Sequence, residues 1–215
     1  MVVYPTIDQR SPEWRKLRQG RPTASRFSEI VTAAKGEYSK SAQGYMYELL
    51  ADCFPTDIDP DEADRFDNFW TRRGTDLEPL ARVELAKILQ CEIHQVGFCL
   101  HDDGLFGCSP DGLIKEGETY IEGVEIKCPS PAVHVEYMAG GKLPSSYCQQ
   151  VHGSLVITNL PRWHFASFCP GMQAFHVVVE RDDYTDKVAA CLKKFSEEYK
   201  AMREALIPKL QLSLN

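Results

Sequence analysis

Along this 215-residue chain, apolar residues recur at helical spacing near both ends and at strand spacing through the middle. This double change of period limits the fold more than any other feature. Residues 11–19 read as a short helix, with Ser11 as N-cap and Pro12 at its first position. Residues 41–53 place Met46, Leu49, Leu50 and Cys53 at helical spacing, and residues 77–90 set Leu77, Leu80, Ala81, Leu85 and Leu89 on one stripe. The period then falls to two. Residues 92–100, 104–109 and 120–128 read as strands, separated by Asp-Asp-Gly, Pro-Asp-Gly and Lys-Glu-Gly-Glu turn signals. A helix over 145–157, strands over 163–168 and 174–180 and a long amphipathic helix over 183–206 complete the order. The expected class is α/β (α+β), a central mixed sheet flanked by helices.

No internal repeat or low-complexity linker divides the sequence, so one domain over residues 1–215 is expected. No apolar run approaches the ~20 residues that span a bilayer, and Asp8 and Arg10 stand where a secretion signal would be apolar. A cytoplasmic protein without membrane contact is the expectation. None of the eight cysteines forms a C-x-x-C pair, which argues against zinc or iron-sulfur sites. The scattered histidines argue the same way, and the thiols read as small buried groups.

The chemistry concentrates in Ser109-Pro110-Asp111-Gly112 followed by Val124-Glu125-Ile126-Lys127-Cys128. On a strand Glu125 and Lys127 share one face, about 6.5–7 Å apart, while Val124, Ile126 and Cys128 take the other. If the 104–109 strand pairs with the 120–128 strand, Asp111 at its end converges on Glu125. Two carboxylates suit Mg²⁺ or Mn²⁺, which complete their shells with water and phosphate oxygens and assist attack on a phosphodiester. Lys127 is placed to orient or deprotonate a water. A metal lowers its pKa and the carboxylates raise it, and the sequence leaves that balance open. Taken alone, the spacing also fits an ordinary solvated pair beside a hairpin turn.

These residues resemble the core motif of the phage lambda-type (YqaJ-like) exonucleases, within the PD-(D/E)xK nuclease superfamily with its restriction-endonuclease-like core. The likeness extends in order to Trp14, Leu17-Arg18, Gly20 and Thr23-Ala24-Ser25, to Gly74, Glu78 and Ala81-Arg82, to Tyr147, Gln150 and Val151, and to residues 177–182. It implies that Asp111 and Glu125 hold the metal, two ions per site, and that Lys127 serves the water. Glu78 would be a further acidic group, Gln150 would help hold the nucleophile and Tyr147 would line the DNA site. Arg18, Ser25 and Ser109 would grip the 5′-phosphate of a DNA end, since a guanidinium fork with hydroxyls suits a phosphate.

The implied activity is 5′ to 3′ exonuclease action on double-stranded DNA, releasing 5′-mononucleotides and leaving a 3′ single-stranded tail for recombination. The implied assembly is a homotrimeric ring that works with a single-strand annealing protein. Another PD-(D/E)xK nuclease, of restriction or RecB-like type, or a non-catalytic DNA-end-binding module are the competing readings. Phe69 and Trp70 lie where an apolar wedge would meet terminal bases, although core packing is the simpler expectation for both.

A formal charge of −7 speaks against a nucleic-acid partner. It is uneven, however. Six basic residues against Glu13 give residues 10–26 a net +5, whereas residues 56–67 hold −5 in an expected surface loop. Over a Debye length of ~8 Å, DNA responds to the local charge and not to the sum.

Overall fold

In a computed structural model, residues 1–54 and 69–210 are described. The elements are β1 (Val2–Tyr4), α1 (Pro12–Arg18), α2 (Ala42–Ala51), α3 (Phe69–Leu89), β2 (Ile93–His94), β3 (Phe98–Leu100), β4 (Gly107–Cys108), β5 (Gly112–Glu116) and β6 (Thr119–Lys127). They continue with α4 (Pro131–Gly140), α5 (Cys148–Thr158), β7 (Arg162–Ser167), β8 (Phe175–Glu180) and α6 (Asp183–Leu210). Short 3₁₀ turns cover Ala24–Glu29 and Ser145–Tyr147. The acidic stretch at 56–67 lies outside the described residues.

Five strands form the main sheet in the order β2-β5-β6-β7-β8, and β1, β3 and β4 form a smaller one in the order β1-β3-β4. The main sheet is mixed, because β6 and β7 run parallel while its other pairs are antiparallel. Parallel neighbours need a crossover, and α4 with α5 supplies it. Apolar residues fill both faces. Trp163, Phe165 and Leu113 join the core shared with Val151, Leu155, Leu192 and Phe195, while Val124, Ile126 and Ala166 pack with Ala81 and Leu85 of α3. Burial on both sides holds β6 in the centre of the molecule.

The expected class is observed, with four local differences. The single strand expected over 92–100 is two short strands in different sheets, parted where Gly97 approaches Ile7 so closely that a Cβ would lie 2.0 Å from its carbonyl oxygen. The strand expected over 104–109 is reduced to β4 and pairs with β3, not with the strand that carries Glu125. The partner of β6 is β5, which the Pro-Asp-Gly signal concealed as a turn. Gly112 is required for another reason: a Cβ there would sit 2.2 Å from Ile93 Cγ2 on β2. The turn between β5 and β6 falls at Gly117, with φ +58°. Last, α4 was not expected, although Ser130 caps it, Pro131 opens it and left-handed Gly141 closes it.

Candidate active site

Asp111 lies in the connection from β4 to β5, fastened to β6 on either side of Glu125. Its N–H donates to the Val124 carbonyl at 3.0 Å, and its Oδ2 accepts the Ile126 N–H at 2.5 Å. The expected convergence on Glu125 is therefore present, reached through β5 and not through the strand before it.

Alternation along β6 sends Val124 and Ile126 beneath α3, and Glu125 and Lys127 to the side of α5. That second face is not a solvated one. Glu125 is 2% exposed, and its Oε1 accepts Lys127 Nζ at 2.5 Å and Gln150 Nε2 at 2.7 Å. Lys127 Nζ also lies 5.2 Å from the centre of the Tyr147 ring, which packs against Phe165. Gln150 and Tyr147 thus reach the pair from the start of the crossover helix. A buried carboxylate with two donors on one oxygen is fixed in direction.

Charge is crowded here. Burial, and next the neighbouring charge of Glu125, push the Asp111 carboxyl well above the usual carboxylate range, with Glu78 acting in the same sense and Lys127 against it. For Lys127 burial pulls downward, yet Glu125 and Asp111 together outweigh it and hold the ammonium above its ordinary value. Burial and the charges of Glu78 and Asp111 lift the Cys128 thiol to about 11, which leaves it inert. Glu78, on α3, is ion-paired with Arg82, whose Nε donates to the Asp111 carbonyl at 2.8 Å.

Among the described residues no three His, Cys, Asp or Glu side chains converge as a metal cage. Mg²⁺ does not require one, since it is commonly held by one or two carboxylates plus water and phosphate. The Asp111–Glu125 pair fits that pattern, because burial and the neighbouring charge of Glu125, which together raise Asp111, are both offset by a divalent cation.

A second cluster adjoins the first through Ser109, two residues before Asp111. Arg18 donates to Ser109 Oγ at 3.4 Å, to Thr23 Oγ1 at 3.1 Å and to Ser25 Oγ at 3.4 Å. Its guanidinium lies 4.4 Å from the centre of the Trp14 ring, and Trp14 Nε1 donates to Ser109 Oγ at 2.8 Å. The three residues expected to share a pocket are thus brought together, joined by Thr23 and Trp14. Those two stood in the sequence motif without a role, and only their contacts reveal one. Burial lowers the Arg18 pKa, and among the described residues none of its contacts is a carboxylate. A largely desolvated guanidinium ringed by hydroxyls has the chemistry that suits an anion.

Core packing, the expectation for Trp70, is not what the fold provides: the residue is 46% exposed, with Arg73 5.6 Å from its ring centre. Arg73 instead tethers the end of β6, donating to the carbonyls of Cys128 and Pro129. The side chain of Phe69 lies outside the described residues.

Residues 13–161 match the YqaJ-like viral recombinase domain. The chain belongs to this family. A comparison with curated proteins gave no match. Among solved structures, the alkaline exonuclease LHK-Exo from Laribacter hongkongensis superimposes with a TM-score of 0.71 at 29% identity, covering 94% of this chain and all 100% of the other. LHK-Exo in complex with dAMP gives 0.70 at the same 29% identity and the same coverage. A phage-related exonuclease from Haemophilus somnus 129PT shares the fold, with a TM-score of 0.61 at 13% identity over 89% of this chain and 99% of that one. This YqaJ-like chain therefore has the PD-(D/E)xK-type fold, and its family match spans Arg18, Glu78, Asp111, Glu125, Lys127 and Gln150.

Proposed function

We propose that the chain is a divalent-metal-dependent exonuclease that degrades the 5′-ended strand of double-stranded DNA to 5′-mononucleotides, leaving a 3′ tail for recombination. One observation carries the reading: the Arg18 anion pocket and the Asp111–Glu125–Lys127 cluster share the segment 109–111. A phosphate held by Arg18, Ser25, Thr23 and Ser109 thereby lies beside the carboxylates, and cutting starts from the end whose phosphate is held. The alkaline exonuclease likeness supports the reaction class, and the dAMP complex of LHK-Exo supports a nucleotide product.

Asp111 and Glu125 would hold one or two Mg²⁺ or Mn²⁺ ions, which supply Lewis-acid charge at the scissile phosphate. Lys127, as an ammonium, donates to the attacking water and keeps its oxygen aimed. Gln150 locks the Glu125 carboxylate from above, and Tyr147 walls the Lys127 side of the site. In the reaction the water oxygen bonds to phosphorus, the P–O3′ bond breaks, and a proton passes to the leaving 3′ oxygen.

Family membership further supports a ring-shaped homotrimer and a single-strand annealing protein as partner. Among the described residues no helix is long and apolar enough to cross a membrane. Incubation with Mg²⁺ of linear duplex and of a covalently closed or singly nicked circle separates this reading from an endonuclease. The linear form should be degraded and the closed circle should persist; linearised or fragmented circles would contradict the proposal.

A further inference from the structure

We infer that Arg82 is a positioning residue for the metal site, one guanidinium that fixes the main chain of Asp111 beside the carboxylate of Glu78. The inference rests on the metal-site reading above and adds to it the element that sets the site's dimensions from the α3 side.

Asp111 belongs to no strand, so its position depends on ties. Two come from β6, through Val124 and Ile126. A third holds the residue before it: Gln9 Nε2 donates to the Pro110 carbonyl at 3.0 Å and to the Val96 carbonyl at 3.1 Å. The fourth is Arg82, whose Nε donates to the Asp111 carbonyl at 2.8 Å while Nη2 donates to Glu78 Oε1. These two nitrogens lie on one edge of a rigid planar group, so their acceptors are held side by side. The side chain of Arg82 is 13% exposed and that of Glu78 29%, so this is not a solvated pair on a helix surface. Apolar packing of Ala81 and Leu85 on β6 and the Arg73 ties set α3 on the sheet, and Arg82 adds a polar link that joins Glu78 directly to Asp111.

Lysine keeps the charge but presents a single nitrogen, which serves one acceptor or the other. Partners behind a metal ligand matter about 10- to 100-fold for metal affinity or activity. The test uses the full chain and three readouts: Mn²⁺ affinity by electron paramagnetic resonance, kcat and KM on 5′-phosphorylated duplex, and the melting temperature. Arg82→Lys should melt close to wild type, bind Mn²⁺ about 10- to 100-fold more weakly, and lose kcat with little change in the KM for DNA. Excess Mn²⁺ should return part of the kcat. Arg82→Gln, a planar donor without charge, should show the same loss and serves if the lysine variant does not fold. Wild-type Mn²⁺ affinity in a folded variant, or a loss confined to KM, would overturn the inference while leaving the metal reading intact. A wild-type chain that binds no Mn²⁺, or Asp111→Asn binding it unchanged, would remove the metal reading and this inference together.

Discussion

Gln150 on α5 donates to Glu125 on β6 at 2.7 Å, so the crossover helix seats itself on β6 through a side chain of the candidate site. Because Glu125 is 2% exposed, the bond is not one that water replaces without loss. Gln150→Ala should lower kcat by about 10- to 100-fold while far-ultraviolet circular dichroism stays unchanged. Steady-state kinetics on a phosphorylated duplex check it, and an unchanged kcat would remove Gln150 from the site.

Lys127→Ala and Asp111→Ala should each abolish cleavage while binding to DNA ends survives. For Lys127 the loss expected of a group that handles the water is about 10²- to 10⁴-fold. Single-turnover digestion alongside a gel-shift titration separates the two effects, and turnover near the wild-type rate in either variant would contradict the assignment.

Arg18→Ala should lower kcat/KM for 5′-phosphorylated ends toward the value for 5′-hydroxyl ends. A charge-assisted hydrogen bond of about 1.5–3 kcal/mol corresponds to roughly 10- to 150-fold. Trp14→Phe keeps the ring under Arg18 but removes the donor to Ser109, so a smaller loss of the same kind is expected. Competition between phosphorylated and hydroxyl duplexes measures both.

How much of this was legible in the sequence differs by residue. Asp111, Glu125 and Lys127 could be grouped because a strand's alternation is rigid and the turn before it is short. Arg18, Ser25 and Ser109 were reached only through the likeness to a family, since nothing in their spacing brings residue 18 to residue 109. The route of the chain between β4 and β6 departs from the expectation because glycine serves two purposes: Gly112 has the signature of a turn residue and is a close-packing one. Helix α4 hid because Val135 and Met138, 53% and 40% exposed, lie on its outer side and leave no core stripe to recognise. Its caps were visible, and they were the better signal. Trp70 misled in the opposite sense, as a large apolar residue that the fold leaves at the surface.

The strand that carries Glu125 is also packed without slack. A Cβ on Gly123 would lie 2.2 Å from the ring of Trp163, which is fully buried. Gly123→Ala should therefore destabilise the chain by about 1–3 kcal/mol through overpacking. A thermal melt should fall by about 2–4 °C for each of those kcal/mol. An unshifted melt would mean that β7 yields more readily than its burial indicates.

Acid should weaken the fold through its buried and half-buried histidines. Burial lowers the pKa of His152 against the pull of Asp182, and burial together with His164 lowers that of His176. Above about 6.5 both rings are neutral folded and unfolded and contribute nothing to pH dependence. As pH falls through that value the unfolded chain takes up protons first, so stability drops toward the folded pKa. Urea midpoints at pH 7.5 and 5.5 should show the fall, and His152→Gln should reduce it. A wild-type and a His152→Gln chain that respond identically to acidification would contradict the burial argument.

The central claim, a metal-dependent attack that begins at a held 5′-phosphate, is tested most directly by digesting linear duplex labelled at the 5′ end or at the 3′ end. Each is compared with and without 5′-phosphate, in Mg²⁺ and in a chelator. The account predicts early release of the 5′ label as mononucleotide from phosphorylated ends in Mg²⁺, slower release from hydroxyl ends, and none in the chelator. Release beginning at the 3′ label, or equal rates on phosphorylated and hydroxyl ends, would contradict it.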